Sequence, residues 1–97
     1  MHTIFTPETI LQRNESKFLA STLGEETVMM DLENGDYLGL NSVGTDIWNL
    51  LQQPISLETL LQKLKEVYDV SEEQLNTEVD SFLQKMQEQN MLQVIVL

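Results

Sequence analysis

Between residues 18 and 40 the apolar side chains fall in short runs broken by turn-forming residues, and from residue 41 onward they recur at three- and four-residue spacing. The first pattern is that of strands and the second that of amphipathic helices, so the chain reads as β then α. Phe18 to Leu23, Thr27 to Leu32 and Tyr37 to Leu40 are predicted as a three-strand antiparallel meander, with Gly24-Glu25-Glu26 in the first turn and Asn34-Gly35 in the second. Asn-Gly is a strong two-residue hairpin signal because both positions accept positive φ. A two-residue loop places Glu33 opposite Asp36, Leu32 opposite Tyr37 and Met30 opposite Gly39, with Leu38 and Leu40 on the face of Met29 and Asp31. Both faces of such a sheet are partly apolar, so a further segment or a partner is expected over the second one; residues 4 to 13, with Pro7, are a candidate arm.

Three helices follow. Asn41 caps the first, whose stripe Val43, Ile47, Leu50 and Leu51 ends at Gln53-Pro54, with Trp48 beside it. Ser56 opens the second, with Leu57, Leu60, Leu61, Leu64, Val67 and Tyr68 on its apolar face. Ser71 caps the third, where Ser71-Glu72-Glu73-Gln74 forms a capping box and acidic residues meet the positive end of the helix dipole. Its apolar face is Leu75, Val79, Phe82, Leu83 and Met86, and Met91 to Leu97 follows Asn90 as an extended apolar tail. At 97 residues the chain is expected to form a single domain over 1–97.

Charge then narrows the functions open to such a fold. The chain carries 5 basic and 16 acidic residues, for a net charge of −11, and this opposes nucleic-acid binding. It has no cysteine, and its one histidine is His2, so nucleophilic and metal chemistry have few groups to use. Neither a membrane span nor a secretory signal is visible, and a cytoplasmic location is expected.

Each candidate for chemistry has a plainer reading. The acidic turn Asp31 to Asp36 looks like a calcium loop until Gly35 is set at its sixth position, which puts Met30 where the first carboxylate belongs. Glu25-Glu26 and Glu72-Glu73 have no visible partner to separate their pKa values and read as solvated faces. Met29-Met30 reads as adaptable core filling. Leu38-Gly39-Leu40-Asn41-Ser42-Val43 resembles the attachment site of acyl carrier proteins, which would make Ser42 a phosphopantetheine acceptor; Asn41 and Val43 depart from the Asp-Ser-Leu motif of that family. No enzymatic activity, cofactor or metal is expected.

Three strands followed by three helices form an α+β, winged helix-turn-helix-like pattern, which on fold alone suggests a DNA-binding regulator. The third helix opposes this, carrying Glu72, Glu73, Glu78, Asp80 and Glu88 against Lys85.

The run from Asp36 to Leu51, with Gly39-Leu40-Asn41, Gly44 and Ile47-Trp48, resembles the PqqD-like family, the recognition domains of ribosomally made, post-translationally modified peptides. Leu60, the Tyr68-Asp69-Val70 junction and Val79, Phe82 and Leu83 extend the likeness over about residues 8 to 92. Thr6-Pro7-Glu8 and Leu11-Gln12-Arg13-Asn14 resemble the stand-alone version in lasso-peptide gene clusters, which binds the precursor's leader and presents it to a leader peptidase. The resemblance implies a groove between the third strand and the third helix, with the leader peptide lying there as an added strand, and processing enzymes (leader peptidase and cyclase) as further partners.

On that basis Asp36, Tyr37, Leu38, Gly39 and Leu40 are expected to offer an unpaired strand edge to the peptide. Asn76, Val79, Asp80 and Leu83, which share a flank of the third helix, are expected as the opposite wall. A carrier protein modified at Ser42 and a winged-helix DNA regulator stay open as alternatives. The first predicts a phosphopantetheine mass increase and the second a salt-steep interaction with duplex DNA.

Overall fold

Each helix begins where a side-chain oxygen caps it. In the computed structural model, which describes residues 5–95, Asn41 Oδ1 accepts from Gly44 N at 2.9 Å and opens α1 (Ser42–Leu50). Ser56 Oγ accepts from Thr59 N at 3.1 Å and opens α2 (Leu57–Val67), and Ser71 Oγ accepts from Gln74 N at 3.1 Å and opens α3 (Glu72–Glu88). These are the caps expected from the sequence, each satisfying a donor that the helix itself leaves free. The end of α3 is equally defined. Asn90 adopts φ 61°, Met91 N donates to Met86 O at 2.8 Å and Asn90 N to Gln87 O at 3.1 Å, the two bonds of a left-handed helix stop. That stop turns Met91 into the core, where it is 1% exposed.

The strands depart from the expectation of one meander and a covering arm. β2 (Phe18–Leu23), β3 (Glu26–Asp31) and β4 (Tyr37–Leu40) form the expected antiparallel sheet in the order β2-β3-β4. A second sheet stands beside it, in the order β5-β1-β6, from β1 (Ile10–Arg13), β5 (Ile55–Ser56) and β6 (Leu92–Ile95). The N-terminal segment is therefore a central strand, with Leu11 facing Ile55 on one side and Val94 on the other. Leu11 is fully buried, as are Ile47, Leu51, Leu60, Leu83 and Met86, so one core lies between the sheets and the helices. Arg13 joins this unit to α1, with its guanidinium 4.8 Å from the centroid of Trp48 and Nη1 donating to Trp48 O at 3.2 Å. His2, Ile4 of the expected arm, and Val96 and Leu97 of the tail lie outside the described residues. Val67, expected on the apolar face of α2, is 69% exposed, because Tyr68 leaves the helix in an extended conformation and takes the inward position.

The hairpin register corrects the two-residue loop. Met30 pairs with Tyr37 and Val28 with Gly39, and four residues, Leu32 to Gly35, form the connection. Asp31 is the reason: its carboxylate accepts from Glu33 N at 2.9 Å, Asn34 N at 3.2 Å and Asn34 Nδ2 at 2.9 Å, and its carbonyl accepts from Gly35 N at 2.7 Å. This side-chain-closed turn needs positive φ only at Gly35, which has φ 74°, whereas the two-residue turn needs it at Asn34 as well. The register moves by two residues, so the faces are preserved. Leu38 still lies beside Met29, and Leu40 is buried with it.

Candidate functional site

The alternation of an antiparallel ladder determines which backbone groups of β4 are free. Asp31 N donates to Asp36 O at 2.8 Å, so Asp31 and Asp36 are a hydrogen-bonded pair, and two residues on so are Met29 with Leu38 and Thr27 with Leu40. On the other side of β3, Leu32 N donates to Lys17 O at 2.9 Å, consistent with even-numbered residues of β3 facing β2. The N–H and C=O of Tyr37 and Gly39 therefore point away from β3, along the open edge of the sheet. The sequence expectation treated Asp36 to Leu40 as one edge. In the structure the outward donors sit at Tyr37 and Gly39, and Leu38 is committed to the ladder.

Two hollows border one flank of α3, the first of them against β4. The first, about 170 Å³, is lined by Phe18, Met29, Leu38 and Met91, with Asp31, Asp36, Tyr37, Lys85 and Gln89 around it. The second, about 390 Å³, lies between the start of α1 and α3; Val43, Gly44, Ile47 and Phe82 give it an apolar floor, and Thr77, Glu78, Ser81 and Lys85 form its far side. Lys85 borders both, so the two hollows read as one groove along a single flank of α3. Gly44 sets its depth: a Cβ there would lie 3.0 Å from Phe82 Cε1, so only a glycine lets α1 come this close to the Phe82 ring.

The expected site residues divide between this groove and other places. Asp36, Tyr37 and Leu38 line the first hollow, while Gly39 and Leu40 border a shallow depression with Leu23, Thr27 and Val28. A Cβ built on Gly39 meets nothing within 4 Å. The expected flank of α3 faces the other way. Asn76, Val79 and Asp80 line a separate cavity against α2, and Leu83 is fully buried in the core. At 3.6 residues per turn, Thr77, Ser81, Lys85 and Gln89 run along one side of the core stripe Leu75, Val79, Met86, and Asn76 and Asp80 along the other. Both flanks adjoin the apolar stripe equally, so the sequence held no signal for choosing between them. Phe82, expected in the core, is half-buried and forms groove floor as well.

Two carboxylates near the groove, Asp31 and Asp46, are engaged in structural hydrogen bonds. Backbone donation from Glu33, then the Asn34 side chain, hold the Asp31 carboxyl below its ordinary value, and both of its oxygens are engaged within its own loop. Tyr68 donates to Asp46 Oδ2 at 2.5 Å, and burial, with that hydrogen bond next, pushes its hydroxyl above the ordinary tyrosine value. The Ser42 hydroxyl adjoins the same Tyr68 group, and Ser42 is half-buried at the first position of α1. Among the described residues no group of three or more histidine, cysteine or carboxylate side chains is placed to hold a metal ion, and no helix is long and apolar enough to cross a membrane.

Residues 26–92 match the family model described as coenzyme PQQ synthesis protein D (PqqD). The chain belongs to the PqqD family. That match covers β3, β4, β5, the three helices and the start of β6, and hence β4 and α3, but not β2 or Phe18. No curated protein matches the chain. Two solved structures share the PqqD-type fold seen here. TbiB1 in complex with the TbiA(β) leader peptide has a TM-score of 0.74 at 22% identity, over 88% of this chain and 98% of that one. Lasso peptide synthetase B1 complexed with the leader peptide has a TM-score of 0.72 at 18% identity, over 86% and 96%.

Proposed function

We propose that this PqqD-family chain binds the leader segment of a ribosomally synthesised precursor peptide in lasso-peptide biosynthesis, without catalysing a reaction on it. The peptide adds to β4 as a strand. Its backbone pairs with Tyr37 and Gly39, its alternate side chains enter the two hollows, and α3 closes the groove through Thr77, Glu78, Ser81, Phe82 and Lys85. One observation carries this: the free edge strand β4 lines a hollow against α3, and a second hollow with an apolar floor continues from it along the same flank of α3. Both similar structures hold a leader peptide, which supports the reading. The mode separates affinity from specificity, because backbone pairing is independent of sequence while the hollows select side chains.

With its leader held, the precursor is presented to a leader peptidase and a cyclase of the same pathway, in the cytoplasm. A carrier role at Ser42 is less well served, since a prosthetic arm needs an exposed hydroxyl and this one adjoins Tyr68. DNA reading is opposed by the acidic excess of α3. The test is to titrate the purified protein with the synthetic leader of a short precursor encoded beside its gene. Saturable binding with no change in peptide mass is expected, and absence of binding to that leader, or a cleaved product, contradicts the proposal.

A further inference from the structure

β2 is an edge strand without the usual guards against pairing. It lies at one end of the order β2-β3-β4, and after the half-buried Phe18 its residues Leu19 to Leu23 are exposed. Ladder parity sets what this edge offers. Leu32 N donates to Lys17 O, so odd-numbered residues of β2 bond to β3, and the N–H and C=O of Ala20 and Thr22 point outward. Natural edges are commonly blunted by a charge, a proline or a bulge. Phe18 to Leu23 contains no charge and no proline, and it pairs with β3 residue by residue with no bulge. Leu19 and Leu23, on the same face, are 58% and 67% exposed. In a chain with 16 acidic residues, an uncharged apolar edge of this kind calls for a partner.

The order of side chains along β2 makes it complementary to itself. We infer that two copies of this chain pair antiparallel through β2, about a two-fold axis at Ser21. Bonds form only where outward-facing residues meet, which here sets Ala20 against Thr22 of the partner subunit and Ser21 against its own counterpart. Leu19 then lies opposite Leu23 of the partner subunit, and Lys17 comes toward Glu25 of the partner subunit, each contact occurring twice. A shift of two residues either way sets Leu19 against serine or glutamate and loses both kinds of contact. Lys17 already meets Glu33 at 3.4 Å, but that pair is solvent-exposed and holds the lysine weakly. The net charge of −11 on each copy opposes association at long range, so the dimer is weak at low salt and tightens as salt screens the repulsion. The joined sheet has six strands with a β4 edge at each end, so both open β4 edges stay available.

The chain has no cysteine, so one introduced thiol reports the geometry. Across the axis the two Ser21 Cα atoms are about 4.5 Å apart, within disulfide range. Under diamide, Ser21→Cys is expected to cross-link at least tenfold faster than Gln87→Cys, an exposed position on α3. A mixture of Leu19→Cys and Leu23→Cys is expected to give the mixed dimer in preference to either self-linked product. Sedimentation of the wild-type chain in about 0.5 M salt is expected to shift from monomer toward dimer between about 10 µM and about 1 mM. Ser21→Glu, which sets two like charges together at the axis, is expected to stay monomeric and folded over that range. Equal cross-linking of Ser21→Cys and Gln87→Cys, a wild-type chain monomeric throughout, or undiminished association of Ser21→Glu would each overturn the assignment.

Discussion

Gly44 and Phe82 are in contact across the floor of the groove, so closely that a single added methyl at Gly44 would sit 3.0 Å from the ring carbon Cε1. Two effects of Gly44→Ala oppose each other. Alanine favours a helix interior over glycine by up to about 1 kcal/mol, and overpacking costs about 1–3 kcal/mol. A net loss of about 0–2 kcal/mol is expected, because the ring has the open groove to move into. Displaced there, it occupies the space proposed for the peptide. Leader affinity is therefore expected to fall severalfold while the protein stays folded, and comparing thermal melts with binding isotherms of the variant checks this.

The ladder geometry distinguishes adjacent positions on β4. Tyr37→Pro removes an outward donor at the first residue of an edge strand, where proline is tolerated; Leu38→Pro removes a donor that bonds to β3. The first variant is expected to stay folded and bind leader at least tenfold more weakly. The second is expected to lose stability. Circular dichroism melts with a binding measurement on each decide the matter, and the opposite ranking would show that the ladder has been assigned to the wrong parity.

A bulky residue tests which side of α3 closes the groove. Ser81 and Gln87 are both exposed on that helix, and only Ser81 lines a hollow. Ser81→Trp is expected to weaken leader binding by ~1–3 kcal/mol, the range of a contact blocked near the centre of an interface, whereas Gln87→Trp leaves it unchanged. Calorimetric titration of both variants gives the comparison.

Acid should loosen the β3–β4 hairpin. The Asp31 carboxyl titrates below its ordinary value in the folded chain, held down first by the Glu33 backbone donor. Its contribution to stability is thus present above the unfolded pKa, near pH 4, and is lost as pH falls through the lower folded value. Melting temperatures between pH 6 and 2.5 are expected to fall more steeply for the wild type than for Asp31→Asn. Parallel slopes would show that the turn contributes no pH dependence.

What the sequence made legible was mostly local. Asn41, Ser56 and Ser71 announce their helices because a cap involves residues three positions apart, and Asn90 sits at a helix stop for an equally local reason. The Asn34-Gly35 turn misled by two residues because Asp31, three positions earlier, closes a competing loop with its side chain. Since side chains alternate with period two, the error left the core face intact. Of the second sheet only the extended tail that forms β6 was legible, and its pairing was not, for a different reason. β1 pairs with β6 across about eighty residues and with a strand of two residues, and neither partner leaves a periodic trace of its own. The flank of α3 was undecided by periodicity, since it depends on where the sheet docks.

The most direct test of strand addition is amide hydrogen exchange at Tyr37 and Gly39, whose N–H groups face the open edge. In the free protein both are expected to exchange quickly, while Leu38, bonded within the ladder, exchanges slowly. At saturating leader peptide, exchange at Tyr37 and Gly39 is expected to slow by at least tenfold. Unchanged exchange at both positions under saturation, with protection appearing instead on the α1–α2 surface, would contradict the proposal that the peptide joins the sheet.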